Sequence, residues 1–376
     1  MQKHVRKMLN AQRDILSPQA VSSVEAALRD VSQARQGKAD EETLKKQMAN
    51  LETAANKWLK PYPHAGIREN VEVLLVALAV AMSIRTFFLQ PFKIPTGSMQ
   101  PTLFGVTPER YSGNQYDLKI PGPVKRFLES WIQGNSYYNI TAPEDGELQR
   151  VNRPQRLLLF NLKQEYEFNN KWYTVWFPAD ELFDRAGYRV DYNGSVIDAP
   201  PLKAGEPLVK LKVVAGDHLF VDRMSYNFRH PKRGEIIVFE TRGINGLPQD
   251  QFYIKRLVAL GGERVQLGKD RHLVIDGKRL DATTPHFEKV YSFDPATPPM
   301  ESQFSGHVDG PRLAPLFTDS PDGVVQVRTN HYMVMGDNTM NSLDSRAWGD
   351  FPRENVIGKY LFVYWPFSER FGWNAR

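Results

Sequence analysis

Apolar and polar positions follow three patterns in turn along this chain. Ser17-Pro18 is a helix start, and Val21, Val24, Leu28 and Val31 follow at helical spacing until Gly37. A second helix is predicted to open at Asp40, where Leu44, Met48, Leu51, Ala55 and Trp58 form a heptad-like stripe, so residues 1–66 read as a helical hairpin. Next comes an unbroken apolar run, Val73 to Ile84, which its neighbours extend to Val71–Leu89. At roughly 1.5 Å per residue that stretch covers about 28 Å, near the thickness of a bilayer core. The two charges, Glu72 and Arg85, lie toward its ends, where long side chains reach the headgroups. Residues 67–90 are therefore predicted to be a single transmembrane helix. A long polar segment precedes it and no small-residue cleavage pattern follows, so it does not read as a cleaved leader. Lys57, Lys60 and Arg68 on its N-terminal side predict a cytoplasmic N-terminus and a C-terminal part across the membrane.

Beyond the span the period shortens to two. Leu208 to Val214, Ile236 to Glu240 and Val356 to Tyr364 alternate as strands, and Asn193-Gly194 and Asp276-Gly277 are hairpin-turn signals. In Tyr166-Glu-Phe-Asn-Asn-Lys-Trp-Tyr-Thr-Val-Trp176 the alternation predicts a hairpin around Asn169-Asn170. With 376 residues, 41% of them hydrophobic, the chain can fill a substantial core. The absence of cysteine excludes disulfides, thiolate nucleophiles and cysteine-ligated metals. The net charge of +5 is spread out and accompanies no nucleic-acid motif, which points to anionic lipid rather than nucleic acid. No zinc signature, phosphate-binding glycine loop or Gly-x-Ser-x-Gly elbow appears, so neither metal nor organic cofactor is expected. The 8 histidines are scattered; His218 and His331 have no ligand or triad partner at useful spacing.

Chemistry concentrates in three segments. Lys93-Ile-Pro-Thr-Gly-Ser-Met-Gln-Pro-Thr-Leu103 follows the span within a few residues. Taken alone it is turn chemistry. Phe252-Tyr-Ile-Lys-Arg-Leu-Val-Ala-Leu-Gly-Gly-Glu-Arg-Val265 carries Lys255 within an apolar run, and Tyr332-Met-Val-Met-Gly-Asp-Asn-Thr-Met-Asn-Ser-Leu-Asp-Ser-Arg-Ala-Trp-Gly349 is a strand ending in a polar loop. A serine hydroxyl is a weak nucleophile until a base takes its proton, and a lysine serves only if apolar surroundings keep it neutral. Lowering a lysine from its ordinary value to about 8 needs roughly 3 kcal/mol, which burial beside Ile254, Leu257 and Val258 can supply.

In this order, and with Gly216-Asp-His-Leu-Phe-Val-Asp222 and Arg233-Gly-Glu-Ile-Ile-Val-Phe239 between the first two, the segments resemble the bacterial type I signal peptidases, membrane-bound serine-lysine proteases of the S26 class. The resemblance implies a mainly β catalytic core, with an N-terminal helical segment and one transmembrane helix. It makes Ser98 the nucleophile and Lys255 the general base. Thr96 and the Ser98 N–H would form the oxyanion hole, Ser342 would orient the lysine, and Asp344 and Arg346 would support it as an ion pair. The substrates implied are the signal peptides of exported preproteins, with the lipid bilayer and the secretion machinery as neighbours and the bacterial inner membrane as the site. The catalytic domain would comprise 91–117 and 208–376, with a cap-like insertion at 276–329. Residues 118–207 are an inserted β-rich region that the resemblance does not cover. Ala259, Gly261, Glu263, Thr339 and Met340 depart from the family pattern, which leaves the turn after the lysine and the charge pairing near the third segment open. Two alternatives fit parts of the pattern: a soluble self-cleaving serine-lysine repressor, and an inactive membrane-tethered module of the same fold. The catalytic reading requires the Ser98 hydroxyl and Lys255 amine to lie about 3 Å apart.

Overall fold

A computed structural model describes residues 1–60, 65–110, 120–157, 160–293, 305–320 and 322–373. The boundary expected at 117/118, and 294–304 and 321 within the expected cap, lie outside the described residues. The chain divides into two compact units, Met1–Ala81 and Met82–Arg376.

The first unit holds three helices before the apolar span where a hairpin was expected: Gln2–Gln12, Pro18–Gln36 and Glu41–Trp58. Ser17 caps the second by accepting from the Ala20 N–H, with Pro18 fixed in the first turn, and Asp40 caps the third by accepting from the Thr43 N–H. The additional helix contributes Val5 and Leu9 to a core with Val24, Leu28, Val31, Leu51 and Leu59. Its apolar signal is one turn long, too short to separate from chance. Only Leu51 of the predicted stripe on the third helix is fully buried.

Among the described residues Gly66–Phe88 is the one helix long and apolar enough to cross a membrane, with a mean hydropathy of 2.0 and none of its apolar stretch buried. Its last turn, Ile84–Phe88, widens into a π-helix, and a strand begins at Leu89. The expected end at 90 is thus two residues too late. Pro91 disfavours helix at the residue before it, and Leu89 and Gln90 pair instead with Asp222 and Val221.

That strand, Leu89–Lys93, is the edge of a seven-stranded antiparallel sheet. In spatial order it is followed by His218–Asp222, Val356–Trp365, Ile236–Glu240, Phe252–Leu260, His331–Met335 and Phe351–Pro352. An edge accommodates Pro91, which has no N–H to donate to a ladder. Ile236–Glu240 is buried on both faces, and its side chains alternate between two cores. Ile236 and Val238 join Ile94, Met99, Leu103, Leu219 and Val363, while Ile237 and Phe239 join Leu257, Val334 and Phe351. The sheet curls: Phe92 on the first strand meets Phe252 on the fifth edge-on at 5.5 Å. That closure brings the segment leading to Ser98 beside the strand carrying Lys255.

Residues 120–206 fold as a helix, Pro123–Ile132, a strand, Asn135–Thr141, and a meander that includes Phe160–Phe168 and Lys171–Trp176. Asn169 and Asn170 both have positive φ and form the two-residue turn expected there. Asn193-Gly194 instead lies in a five-residue loop between Arg189–Val190 and Val196–Ile197. The insertion has its own core, with Leu148, Tyr166, Phe168, Leu182 and Phe183 packed on Leu208, Val209 and Leu211. The strand Pro207–Val214 joins it to Thr107–Arg110, so the expected boundary at 207/208 falls inside one strand.

A small sheet begins earlier than the expected cap. Arg264–Leu267, Leu273–Ile275, Lys278–Arg279 and Val324–Gln326 pair in it, turning at Asp276-Gly277 with both φ positive. Val265, Leu273, Phe287 and Tyr291 of this region pack on Val258, Met333 and Met335 of the large sheet. Among the described residues the two sheets therefore share one core.

Candidate active site

Ser98 sits in the one-turn helix Gly97–Met99, between an extended Thr96 and Gln100. The loop that carries it is fastened at both ends by Gly216-Asp217. The Ile94 N–H donates to the Asp217 carbonyl at 2.9 Å, and the Asp217 N–H donates to the Phe104 carbonyl at 2.8 Å. The Asp217 carboxylate accepts from the Phe104 N–H at 2.7 Å and from Arg370 at 2.8 Å. Gly216 is required for this approach, since a β carbon there would fall 1.9 Å from the Ile94 carbonyl oxygen. Hydrophobic anchors Ile94, Met99 and Leu103 are all buried.

Lys255 lies on the central part of Phe252–Leu260, opposite Ile237. Its Nζ is 2.8 Å from Ser98 Oγ and donates to the Ile254 carbonyl at 3.0 Å. Both residues are nearly closed to solvent, Ser98 at 7% exposure and Lys255 at 5%. Burial penalises the ammonium and lowers the lysine to about 8; the Asp344 and Asp337 carboxylates oppose that shift and Arg346 adds to it. The pair has the geometry and the electrostatics that proton transfer from the hydroxyl to a neutral amine requires.

The third segment wraps the pair. The Asn338 N–H donates to the Ser98 carbonyl at 3.1 Å, and Asn338 Nδ2 donates to the Gly97 carbonyl at 3.0 Å. Asp344 and Arg346, both fully buried, form a two-pronged pair with each oxygen 2.9 Å from a guanidinium nitrogen. Asp344 also accepts from the Gly336 N–H at 2.9 Å. Burial pushes its carboxyl up, but Arg346 and the backbone donor outweigh that and hold it below its ordinary value. Thr339, a departure from the family pattern, is buried where it accepts from Arg346 at 2.8 Å and from the Val308 N–H at 2.7 Å. It thereby ties the cap to the ion pair. Glu263, another departure, accepts from Arg233 at 2.6 Å and from the Leu260 N–H at 2.7 Å, so the turn after Lys255 is held. Met340 is exposed at the loop tip.

Ser342 differs from the expectation. Its Oγ is buried and makes no hydrogen bond to Lys255; the polar group it acts on is the Asp344 carboxylate, which it helps hold below its ordinary value. It rests on Gly336, where a β carbon would fall 2.2 Å from Ser342 Oγ and 2.5 Å from the Ser98 carbonyl oxygen. Thr96 is exposed two residues before Ser98, and the Ser98 N–H belongs to the first turn of a helix, where N–H groups have no partner within the helix.

A second buried ion pair was not assigned from the sequence. Arg256 donates to Asp337 at 2.8 and 2.6 Å and to the Gly234 carbonyl at 2.8 Å, while the Thr102 hydroxyl donates to Asp337 at 2.5 Å. It links the three motif segments at once. The available signal was a charged residue, Arg256, in the interior of an apolar strand. Among the described residues no cluster of histidine and carboxylate side chains could hold a metal.

The family described as "Signal peptidase, peptidase S26" matches residues 67–119 and 209–365, more than half of the chain. A protein named probable signal peptidase I-2, from Synechocystis sp., is 28% identical over 167 residues, 44% of this chain and 61% of the relative. Signal peptidase I of Leptolyngbya laminosa is 31% identical over 153 residues, 40% of this chain and 61% of the relative. The aligned parts thus span 61% of each of these relatives. A crystal structure of a signal peptidase I from Enterococcus faecalis V583 is 27% identical and covers 35% of this chain and 97% of its own, with a TM-score of 0.24 that carries no weight for the fold. The family match spans the apolar helix and every strand of the large sheet, and with it the residues that meet around Ser98; by that match the chain belongs to the signal peptidase family, peptidase S26.

Proposed function

We propose that this chain is a membrane-anchored endopeptidase that removes N-terminal signal peptides from exported preproteins by serine-lysine catalysis. The observation that carries the reading is the 2.8 Å contact between Ser98 Oγ and an amine held at about 8 by burial. Neutral Lys255 takes the Ser98 proton as Oγ attacks the scissile carbonyl. The resulting oxyanion is met by the Ser98 N–H and the Thr96 hydroxyl, one such donor being worth about 3–4 kcal/mol of transition-state stabilisation. The ammonium then gives its proton to the leaving amine of the mature protein. An acyl-enzyme remains on Ser98, which water, deprotonated by the same lysine, hydrolyses. Asp344–Arg346 and Asn338 hold the loop around the pair in register.

The substrate docks as an extended strand along an exposed sheet edge, such as Leu89–Lys93, using backbone hydrogen bonds, with small residues on the acyl side of the cut. Only nine steps of chain lead from Leu89 to Ser98, at most about 30 Å when extended, so the nucleophile works near the membrane surface where a signal peptide presents its cleavage site. Lys57, Lys60 and Arg68 set the N-terminus in the cytoplasm and the catalytic unit across a bacterial inner membrane.

The test is processing of a preprotein by the full chain in lipid vesicles, beside Ser98→Ala and Lys255→Ala. Cleavage by the parent chain and loss in both variants is expected. Equal processing by all three would remove Ser98 and Lys255 from the chemistry, and no processing by any would favour a tethered binding module.

A further inference from the structure

The helix Pro123–Ile132 lies outside the segments the family match covers and is built inside out. Val124, Phe127, Leu128, Trp131 and Ile132 recur at the spacing of one helical face, yet all five are 42–75% exposed. The least exposed side chain of the helix is a charged one. Glu129 turns inward, accepting from the Tyr137 hydroxyl at 2.6 Å on the next strand. Two further bonds fix the C-terminal end to the catalytic sheet: Trp365 Nε1 donates to the Trp131 carbonyl at 2.8 Å, and the Phe367 N–H donates to the Ile132 carbonyl at 2.9 Å. The body of the protein therefore holds this helix by its polar side and presents its apolar side outward. Phe367, itself exposed, adjoins that face.

We infer that this helix is an interfacial membrane anchor, lying in the plane of the bilayer surface with its apolar face in lipid. Three observations select lipid as the occupant. First, the face is rich in Phe and Trp, with Lys125 at its flank and Arg126 behind it, the residue types that amphipathic surface helices use against acyl chains and anionic headgroups. Second, the chain already carries an apolar helix ending at Phe88, with Phe87 and Phe88 exposed. Third, the distance is short. Leu89 begins the strand whose last residue, Lys93, pairs with His218, which pairs with Trp365. Four steps of about 3.3 Å along that strand and two strand spacings of about 4.8 Å place Trp365 within roughly 17 Å of the end of the span. A helix at that distance reaches the headgroup layer when the sheet edge runs along the membrane, and it sinks its apolar face about 5–10 Å into the boundary. The consequence is orientation: a span alone leaves the catalytic unit free to turn about one point, whereas a second contact fixes which edge of the sheet faces the bilayer.

The inference rests on reading Gly66–Phe88 as a membrane span, and the test separates the two. The chain has no cysteine, so single labels are clean. Phe127→Cys, Leu75→Cys in the span and Lys171→Cys on the exposed hairpin of the insertion each receive a fluorophore, and the full chain is placed in vesicles of phosphatidylethanolamine and phosphatidylglycerol. Brominated acyl chains are expected to quench the labels at 75 and 127, and aqueous iodide only the one at 171. Quenching at 75 with none at 127 overturns the inference. If iodide quenches 127 the face is in water, and if neither quencher reaches it a protein covers it; both results refute a lipid contact. Loss of quenching at 75 overturns the span, and the anchor with it. A second arm, Phe127→Glu, is expected to slow processing of a vesicle-bound preprotein while a short soluble peptide is cut at the parent rate; equal losses on both substrates would contradict an orienting role.

Discussion

The Lys255 amine reaches Ser98 Oγ at 2.8 Å across 157 residues of chain, and nothing in that approach exposes the amine to bulk water. With the lysine lowered to about 8, about a tenth of the molecules carry the neutral amine at pH 7 and most do by pH 9. The rate constant kcat/KM for preprotein cleavage should therefore rise close to tenfold from pH 7 to pH 9 and then level. A profile flat from pH 6 to pH 10, measured on the full chain in detergent micelles with a short peptide substrate, would exclude Lys255 as the base.

The same burial predicts an opposite effect on stability. A group whose folded pKa is depressed binds its proton less well in the folded state, so the unfolded chain takes up more protons and low pH favours unfolding. For Lys255 this cost is fully present below about 8, shrinks as pH rises, and is gone above the ordinary value of 10.5. Lys255→Met keeps the length of the side chain and removes the charge. It should abolish cleavage and raise stability at pH 7 by about 1–3 kcal/mol, allowing for the hydrogen bonds to Ser98 and Ile254 that are lost. Thermal unfolding at pH 7 and at pH 10.5 checks the sign, since the gain should vanish at the higher pH.

Gly336 is a steric requirement. An alanine methyl would overlap both Ser342 Oγ and the Ser98 carbonyl, and the neighbouring Asp344 bond to the Gly336 N–H prevents the strand from backing away. Gly336→Ala should cost about 1–3 kcal/mol of stability, as overpacking does, and lower kcat far more than it raises KM because Ser98, the proposed nucleophile, is displaced. An unchanged kcat would mean that the loop absorbs a methyl group without moving Ser98.

The legible part of this site was the part that repeats a period or a motif. The strand Ile236–Glu240 was legible as a short apolar run, because both its faces are buried, and Val356–Trp365 as an alternation that bulges interrupt. Ser98 and Lys255 were legible as a serine and a lysine in apolar company. Their distance was not, since it depends on the curl that brings Phe92 to Phe252. Asn338, Thr339, Thr102 and Asp337 act through single hydrogen bonds to groups distant in the chain, which leave no period behind. The helix Gln2–Gln12 and the early start of the small sheet were lost because each signal is shorter than a turn or two of pattern.

The last prediction concerns the ion pair that the sequence did not announce. Arg256 and Asp337 are 2% and 0% exposed, and the pair is completed by Thr102 and the Gly234 carbonyl. Two charges at this depth recover their lost hydration only from each other, so removing one leaves the other stranded. Asp337→Asn should cost about 3–5 kcal/mol and lower activity chiefly through the population of folded protein. Replacing both, with Arg256→Met and Asp337→Leu, removes the stranded charge along with the bond and should recover much of that loss. Denaturant unfolding of the parent, both single variants and the double variant gives the coupling directly. A double variant as unstable as the sum of the singles would show that the two residues do not act as a pair. If the double variant regains stability yet cleaves slowly, the pair also sets the position of Lys255, which its neighbour Arg256 carries on the same strand, and the slow step should then keep the pH profile of the lysine.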